Sequence, residues 1–192
     1  AWTAQLKALK TVTEPLRALR SAASRRPDEA GAALALGRAL LERGLRDEGE
    51  ALLQLVTIRW PASDSSAEAL WCLGRFYHRV RREPVIAQHI WRELGERHAR
   101  SPWAGGAWWW YARAQVALGR PEVGAAALEA VARRPMPGAG ALRMYGSFLK
   151  KHALTARYPG ARQLIRATLA EGKGSLPVTD REALEALEAE LH

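Results

Sequence analysis

A short pattern recurs along this 192-residue chain. A large or apolar residue is followed three positions later by a second apolar one, then by a small residue, and in three copies by an arginine. The copies are ALALGRALLERG (33–44), LWCLGRFYHRV (70–80), WWWYARAQVALG (108–119) and LRMYGSFLKKH (142–152). Their small residues are Gly37, Gly74, Ala112 and Gly146, spaced by 37, 38 and 34 residues. Downstream of each, a second small residue precedes a bulky one by a helical turn: Gly49 with Leu53, Ala87 with Trp91, Gly124 with Leu128, and Ala161 with Ile165. A small residue at a helix crossing lets two axes approach while bulky neighbours fill the grooves. One helix pair cannot bury its apolar face alone, so such pairs must stack. Gly and Pro punctuate this helical text, strand signals are nearly absent, and Pro61, Pro102 and Pro135 with Pro137 close the first three copies.

The pattern resembles the tetratricopeptide repeat, a helix–turn–helix of about 34 residues with the signature W-x2-L-G-x2-Y…A-x3-F…P. Leu70-x2-Leu73-Gly74-x2-Tyr77 and Leu142-x2-Tyr145-Gly146-x2-Leu149 carry the likeness, and Pro61 follows Pro27 by 34 residues. Copies two and four hold extra residues, and copy three has Ala112 and Gln115 where glycine and tyrosine are usual. The resemblance covers residues 27–172, in copies at 27–61, 62–102, 103–136 and 137–172. It implies an all-α, right-handed α-solenoid of about four helix pairs, with a concave groove lined by the first helix of each pair.

Extra helices flank the array. In residues 1–26, Trp2, Leu6, Leu9, Val12, Leu16 and Leu19 form one stripe, interrupted at Pro15, with Thr13 as the N-cap of a fresh start. This segment is expected to pack on or precede the first repeat, and an oligomer through it is the other use of the stripe. Residues 173–192 read as a loop and a C-terminal capping helix, with TDRE (179–182) as a capping box and Leu184, Leu187 and Leu191 as its apolar face. Because the chain begins at Ala1, it reads as a processed form or a piece of something longer.

Four of the eight tryptophans fall between Trp103 and Trp110. Neighbours on a helix point about 100° apart, so the run needs no cofactor. Trp108 is expected to pack within its own pair and Trp110 towards the next one. By the family's geometry, Trp109 and its counterpart Trp71 face the groove. Arg38, Arg75 and Arg113 each follow the small residue, so stacking predicts a column of guanidinium groups. His78 and Arg79 in copy two, and Lys150 and Lys151 in copy four, extend it by a turn. Arginine grips carboxylates and phosphates bidentately, so this lining suits an extended segment carrying either, an acidic stretch of a protein or peptide partner above all. The partner-binding groove expected from the sequence is therefore Arg38, Trp71, Arg75, His78, Arg79, Trp109, Arg113, Lys150 and Lys151.

Chemistry is not expected. His89 and His98 are nine apart in one helix and face different sides, and no metalloprotease, Walker or nucleophile-elbow motif occurs. Cys72 reads as a buried structural thiol, and Glu48 and Glu50 as members of a solvent-facing charged turn. The expectation is a non-enzymatic scaffold or adaptor with no metal and no cofactor. The Pro- and Ser-led entries WPASDSSAEALWCLG (60–74) and RSPWAGGAWWWYARA (100–114) resemble repeats of bacterial envelope assembly proteins, which favours the periplasm over the cytoplasm. The alternative is the non-catalytic superhelical part of a larger cell-wall enzyme resembling soluble lytic transglycosylases. The net charge of +9, with RVRRE (79–83), ARR (132–134) and KKH (150–152), raises nucleic-acid binding as a third reading. These patches lie at helix ends, where basic residues complement the helix dipole, rather than along one stripe. No run approaches the ~20 apolar residues of a membrane span.

Overall fold

The computed structural model describes residues 30–133, 139–171 and 176–191, and all regular structure among them is helical. The readings made for residues 1–26, and for Pro27, Pro135 and Pro137, lie outside the described residues. The chain divides into two compact units, Ala1–Ala107 and Trp108–His192. The first holds α1 (Ala30–Glu42), α2 (Arg46–Arg59), α3 (Asp64–Phe76) with a π-helical turn at Tyr77–Arg81, and α4 (Pro84–Arg97). The division falls within α5 (Ala104–Ala117), and α6 (Pro121–Ala132), α7 (Ala139–Lys151), a 3-10 turn at Thr155–Arg157, α8 (Gly160–Glu171) and α9 (Val178–Glu190) follow.

In the first unit each helix packs on the next, and α1 also packs on α3. The recurring small residues sit where the sequence pattern requires close approach. A Cβ at Gly37 would lie 2.9 Å from Leu53 of α2, and one at Gly74 would lie 2.7 Å from the Trp91 ring of α4. Leu53 and Trp91 are fully buried. In the second unit, a Cβ at Gly124 of α6 would lie 3.0 Å from the backbone of Ala112, so the third pair crosses on two small residues. The fourth copy departs from the pattern. Gly146 receives Leu187 of α9, not Ile165 of α8, while Ile165 is buried in the same core. The last helix is thus an integral partner of α7, packed on both α7 and α8.

The repeat is equally visible in how its first helices end. Among the described residues, positive φ occurs at Gly44 (79°), Arg82 (57°), Gly119 (73°) and Ala153 (54°). Each stands just beyond the first helix of a copy. Backbone bonds from Leu45 to Leu40 (3.0 Å), Arg120 to Gln115 (2.8 Å) and Leu154 to Leu149 (2.9 Å) close three of these ends in the same Schellman geometry. The left-handed residue follows the small residue by seven positions in those three copies and by eight in copy two. The extra residue of copy two is taken up by the π turn, where Glu83 N–H reaches Tyr77 C=O at 2.9 Å. The second helices of copies two and three then restart on Pro84 and Pro121, whose missing N–H costs nothing in a first turn.

The expected capping box at Thr179 does not form. The N-cap lies two residues earlier, at Pro177, which is extended (φ −53°, ψ 143°) and gives no side-chain cap, so helix α9 begins at Val178. Asp180 in its first turn instead pairs with Arg143 of α7 at 2.9 Å.

Candidate functional site

Helix α3 presents Glu68, Trp71 with Cys72, Arg75 and, in the π turn, Arg79. These positions lie three or four residues apart, and so on one face. They share a cavity of about 620 Å³ with Arg38, Leu41 and Glu42 of α1, with Gly44 in the α1–α2 turn, with Arg46 at the start of α2, and with Trp103 ahead of α5. Leu41, Trp71, Cys72, Phe76, Val80 and Trp103 give this groove apolar surface, and four arginines and two glutamates supply its charge.

Trp71 is half-buried in an aromatic stack. Its ring centroid lies 5.1 Å from that of Trp103 at a 31° tilt, and 5.2 Å from that of Trp91, edge-on at 68°. Gly106 makes room for it, since a Cβ there would come within 2.8 Å of the Trp71 ring. The same Trp91 that fills the seat at Gly74 therefore braces the groove's aromatic wall.

The charges are not equivalent. Arg38 Nη1 lies 2.5 Å from Glu68 Oε1, with the two side chains 48% and 27% exposed. Arg75 is exposed and has no ion pair among the described residues. Cys72 is half-buried rather than sealed in the core, and it lines the cavity. Burial pushes its thiol upward against the pull of Arg38 and Arg75, which keeps it protonated and a poor nucleophile.

A second cavity of about 880 Å³ is lined by Asp64, Ser65, Glu68, Arg97, His98, Arg100, Ser101 and Trp103 among others, so Glu68 and Trp103 stand between the two. His98 is the residue that ends α4 rather than a member of it, and burial lowers its imidazole below the usual range. Arg97 is held by Glu93 at 2.7 Å.

Of the nine residues expected from the sequence, Arg38, Trp71, Arg75 and Arg79 line the first cavity. His78 is half-buried and is not among its lining residues. The other four belong to the second unit. There Trp109 packs edge-on against Phe148 with centroids 6.1 Å apart, and Arg113 lies over the Trp110 ring at 4.7 Å. Lys150 pairs with Glu190 of α9 at 2.7 Å, and Lys151 is exposed at the end of α7. Trp108 is buried with Ala112, Ala125 and Leu128, as its place in the pattern requires.

Several lining residues escaped the sequence reading, Arg46, Glu68 and Trp103 among them. Glu68 lies two turns before Arg75 on the same face, a spacing that could have found it. Trp103 follows Pro102 outside any helix, and periodicity gives no signal there. Glu50 also corrects an expectation, because it is not on a solvent-facing turn. Its side chain is 16% exposed, accepts the Tyr77 hydroxyl and pairs with Arg81 at 3.1 Å, while Asp47 takes Arg81 at 2.6 Å. Burial and the Glu50 carboxylate push the Tyr77 hydroxyl up to about 12.

Each basic run named above has a member held internally: Arg81 as described, Arg133 by Glu129 at 2.7 Å, and Lys150 by Glu190. Among the described residues no cluster of three His, Cys, Asp or Glu side chains has metal-site geometry, and no helix is long and apolar enough to cross a membrane. No known family model matches the chain, and no curated protein matches it significantly.

Proposed function

We propose that this chain is a non-enzymatic binding module, a tetratricopeptide-like α-solenoid whose first two helix pairs hold an acidic segment of a partner protein. The observation that carries the reading is the convergence of Arg38 from α1, Arg46 from the start of α2, Arg75 from α3 and Arg79 from the π turn around one partly apolar cavity. Arg75, exposed and without an ion-pair partner among the described residues, is the residue best placed to take a carboxylate from outside. The aromatic and aliphatic wall offers area for an apolar side chain beside that carboxylate, the mixture of anchor and polar contact that peptide grooves use.

The test is a fluorescence-anisotropy titration of the full chain with a labelled peptide alternating Asp or Glu with Leu, and with its Asn/Gln counterpart. The acidic peptide is expected to bind more tightly, with an affinity that falls as salt rises. Arg75→Glu is expected to abolish binding and Arg113→Glu to leave it unchanged, with circular dichroism confirming the fold of both. Equal binding of the two peptides, or equal loss in both variants, rejects the reading.

A further inference from the structure

The groove already contains one bound carboxylate, its own. Glu68 and Arg38 come from different helices, thirty residues apart, and meet at 2.5 Å on the lining of the cavity. Neither is sealed off, since Arg38 is 48% and Glu68 27% exposed. The pair therefore exchanges with solvent and with any competing anion. Exposed pairs of this kind are weak, because high dielectric and side-chain entropy offset much of the Coulomb attraction. A ligand carboxylate arriving beside Arg75 meets Arg38 on the facing helix α1 and Glu68 two turns back along α3.

We infer that Glu68 stands in for the ligand's carboxylate on Arg38, so that the acidic segment binds by displacing it and the groove's affinity is set by this internal competition. The inference rests on the reading of the groove as an acidic-segment site and adds the way that site is regulated and the chemistry it selects. The displacing group must be a carboxylate or another planar anion able to replace Glu68 on a guanidinium. The neighbouring residue must be apolar, to lie on the Trp71–Trp103 pair. Once displaced, Glu68 has a second place to go, because it also lines the adjoining cavity with Arg97 and Arg100. A single carboxylate thus holds Arg38 when the groove is empty and can turn away from it when the groove is filled.

The experiment is the same titration on the full chain with Glu68→Gln, Glu42→Gln and the pair Arg38→Gln/Glu68→Gln. Glutamine keeps the shape of Glu68 and its ability to accept a hydrogen bond, so folding is little disturbed. Removing the competitor is expected to tighten the acidic peptide by about two- to fivefold, the range an exposed ion pair allows. That gain is expected to vanish when Arg38 is also changed, since the two side chains act as one unit. Glu42 lines the same cavity but is not the partner of Arg38. Its substitution is expected to produce a smaller gain, by general charge alone. Should Glu68→Gln bind equally or more weakly than the wild type, Glu68 only orients Arg38, and the competition is overturned while the groove stands. An equal gain from Glu42→Gln would overturn it as well. If the acidic peptide binds none of the four proteins, the groove reading itself falls and the inference with it.

Discussion

The two units use the same sequence pattern differently. In the first, the position after the small residue places Arg38 and Arg75 on an open cavity. In the second, Arg113 lies on its own Trp110, and copy four replaces the arginine with Ser147. The seats at the small residues differ as well. Leu53 and Trp91 come from the second helix of the same pair, whereas Gly146 is filled from α9, two helices on. A repeat thus dictates where helices cross and stop. It does not dictate whether a side chain in the repeating column faces a ligand or a neighbour.

Trp91→Ala gives the sharpest test of that difference. The side chain is fully buried, fills the seat at Gly74 and abuts Trp71 edge-on, so its removal leaves a large cavity and unbraces the groove. A loss of about 3–5 kcal/mol in denaturant unfolding is expected, together with loss of peptide binding. Leu187→Ala in the second unit is expected to cost about 2–3 kcal/mol and to leave binding intact. If both variants lose binding equally, the groove is not confined to the first unit.

A smaller effect separates the two seats themselves. At Gly74 an added methyl would strike the fixed, buried ring of Trp91 at 2.7 Å. At Gly146 it would come within 2.5 Å of Leu187, but the atom met is the end of a rotatable side chain. Gly74→Ala is therefore expected to cost about 1–3 kcal/mol, and Gly146→Ala less than half of that. Equal costs would mean that α9 is held as rigidly as α4.

Much of this was legible in the sequence, and the parts that were not share a cause. Helix pairing, the small-residue crossings and the burial of Trp108 follow from periodicity, because spacing along a helix fixes which face a residue occupies. The repeat register likewise groups Arg38, Arg75 and Arg79, the geometry of the resembled family adds Trp71, and these four do line one cavity. Periodicity cannot say which carboxylate thirty residues away reaches a given arginine. Arg38 with Glu68 and Arg81 with Glu50 were therefore invisible until the helices were placed. It also fails off the helix, as with Trp103, and where a helix outside the repeat competes for a seat, as Leu187 does at Gly146.

The helix ends offer a third comparison, between copies that stop on glycine and copies that do not. Gly44 and Gly119 hold positive φ at no steric cost, whereas Arg82 and Ala153 carry a side chain into the same conformation. A left-handed residue with a Cβ costs about 1–2 kcal/mol, part of which glycine returns as greater freedom in the unfolded chain. Ala153→Gly is thus expected to stabilise the protein by about 0.5–1 kcal/mol, and Gly119→Ala to destabilise it by about 1 kcal/mol. Thermal unfolding distinguishes these from a flat response, which would indicate that the left-handed stop contributes nothing.

The smallest effect concerns how α9 is attached. Its leucines are buried, and its ion pairs among the described residues lie at or near the surface: Asp180 with Arg143, Glu190 with Lys150, and the half-buried Glu188 with both Arg162 (3.1 Å) and Arg166 (2.6 Å). The Arg166 hydrogen bond, then that of Arg162, holds the Glu188 carboxyl below its usual range. A carboxyl depressed in the folded state stabilises that state fully above its unfolded value of about 4.3. The contribution disappears as pH falls through the depressed folded value. Hydrogen-exchange protection of residues 178–190 is accordingly expected to fall on acidification below about pH 4, after correction for intrinsic exchange. Glu188→Gln, which cannot titrate, should start with lower protection and lose less of it over the same range. If wild type and variant lose protection in parallel, α9 is held by Leu184 and Leu187 alone, and its charged face is free for other uses.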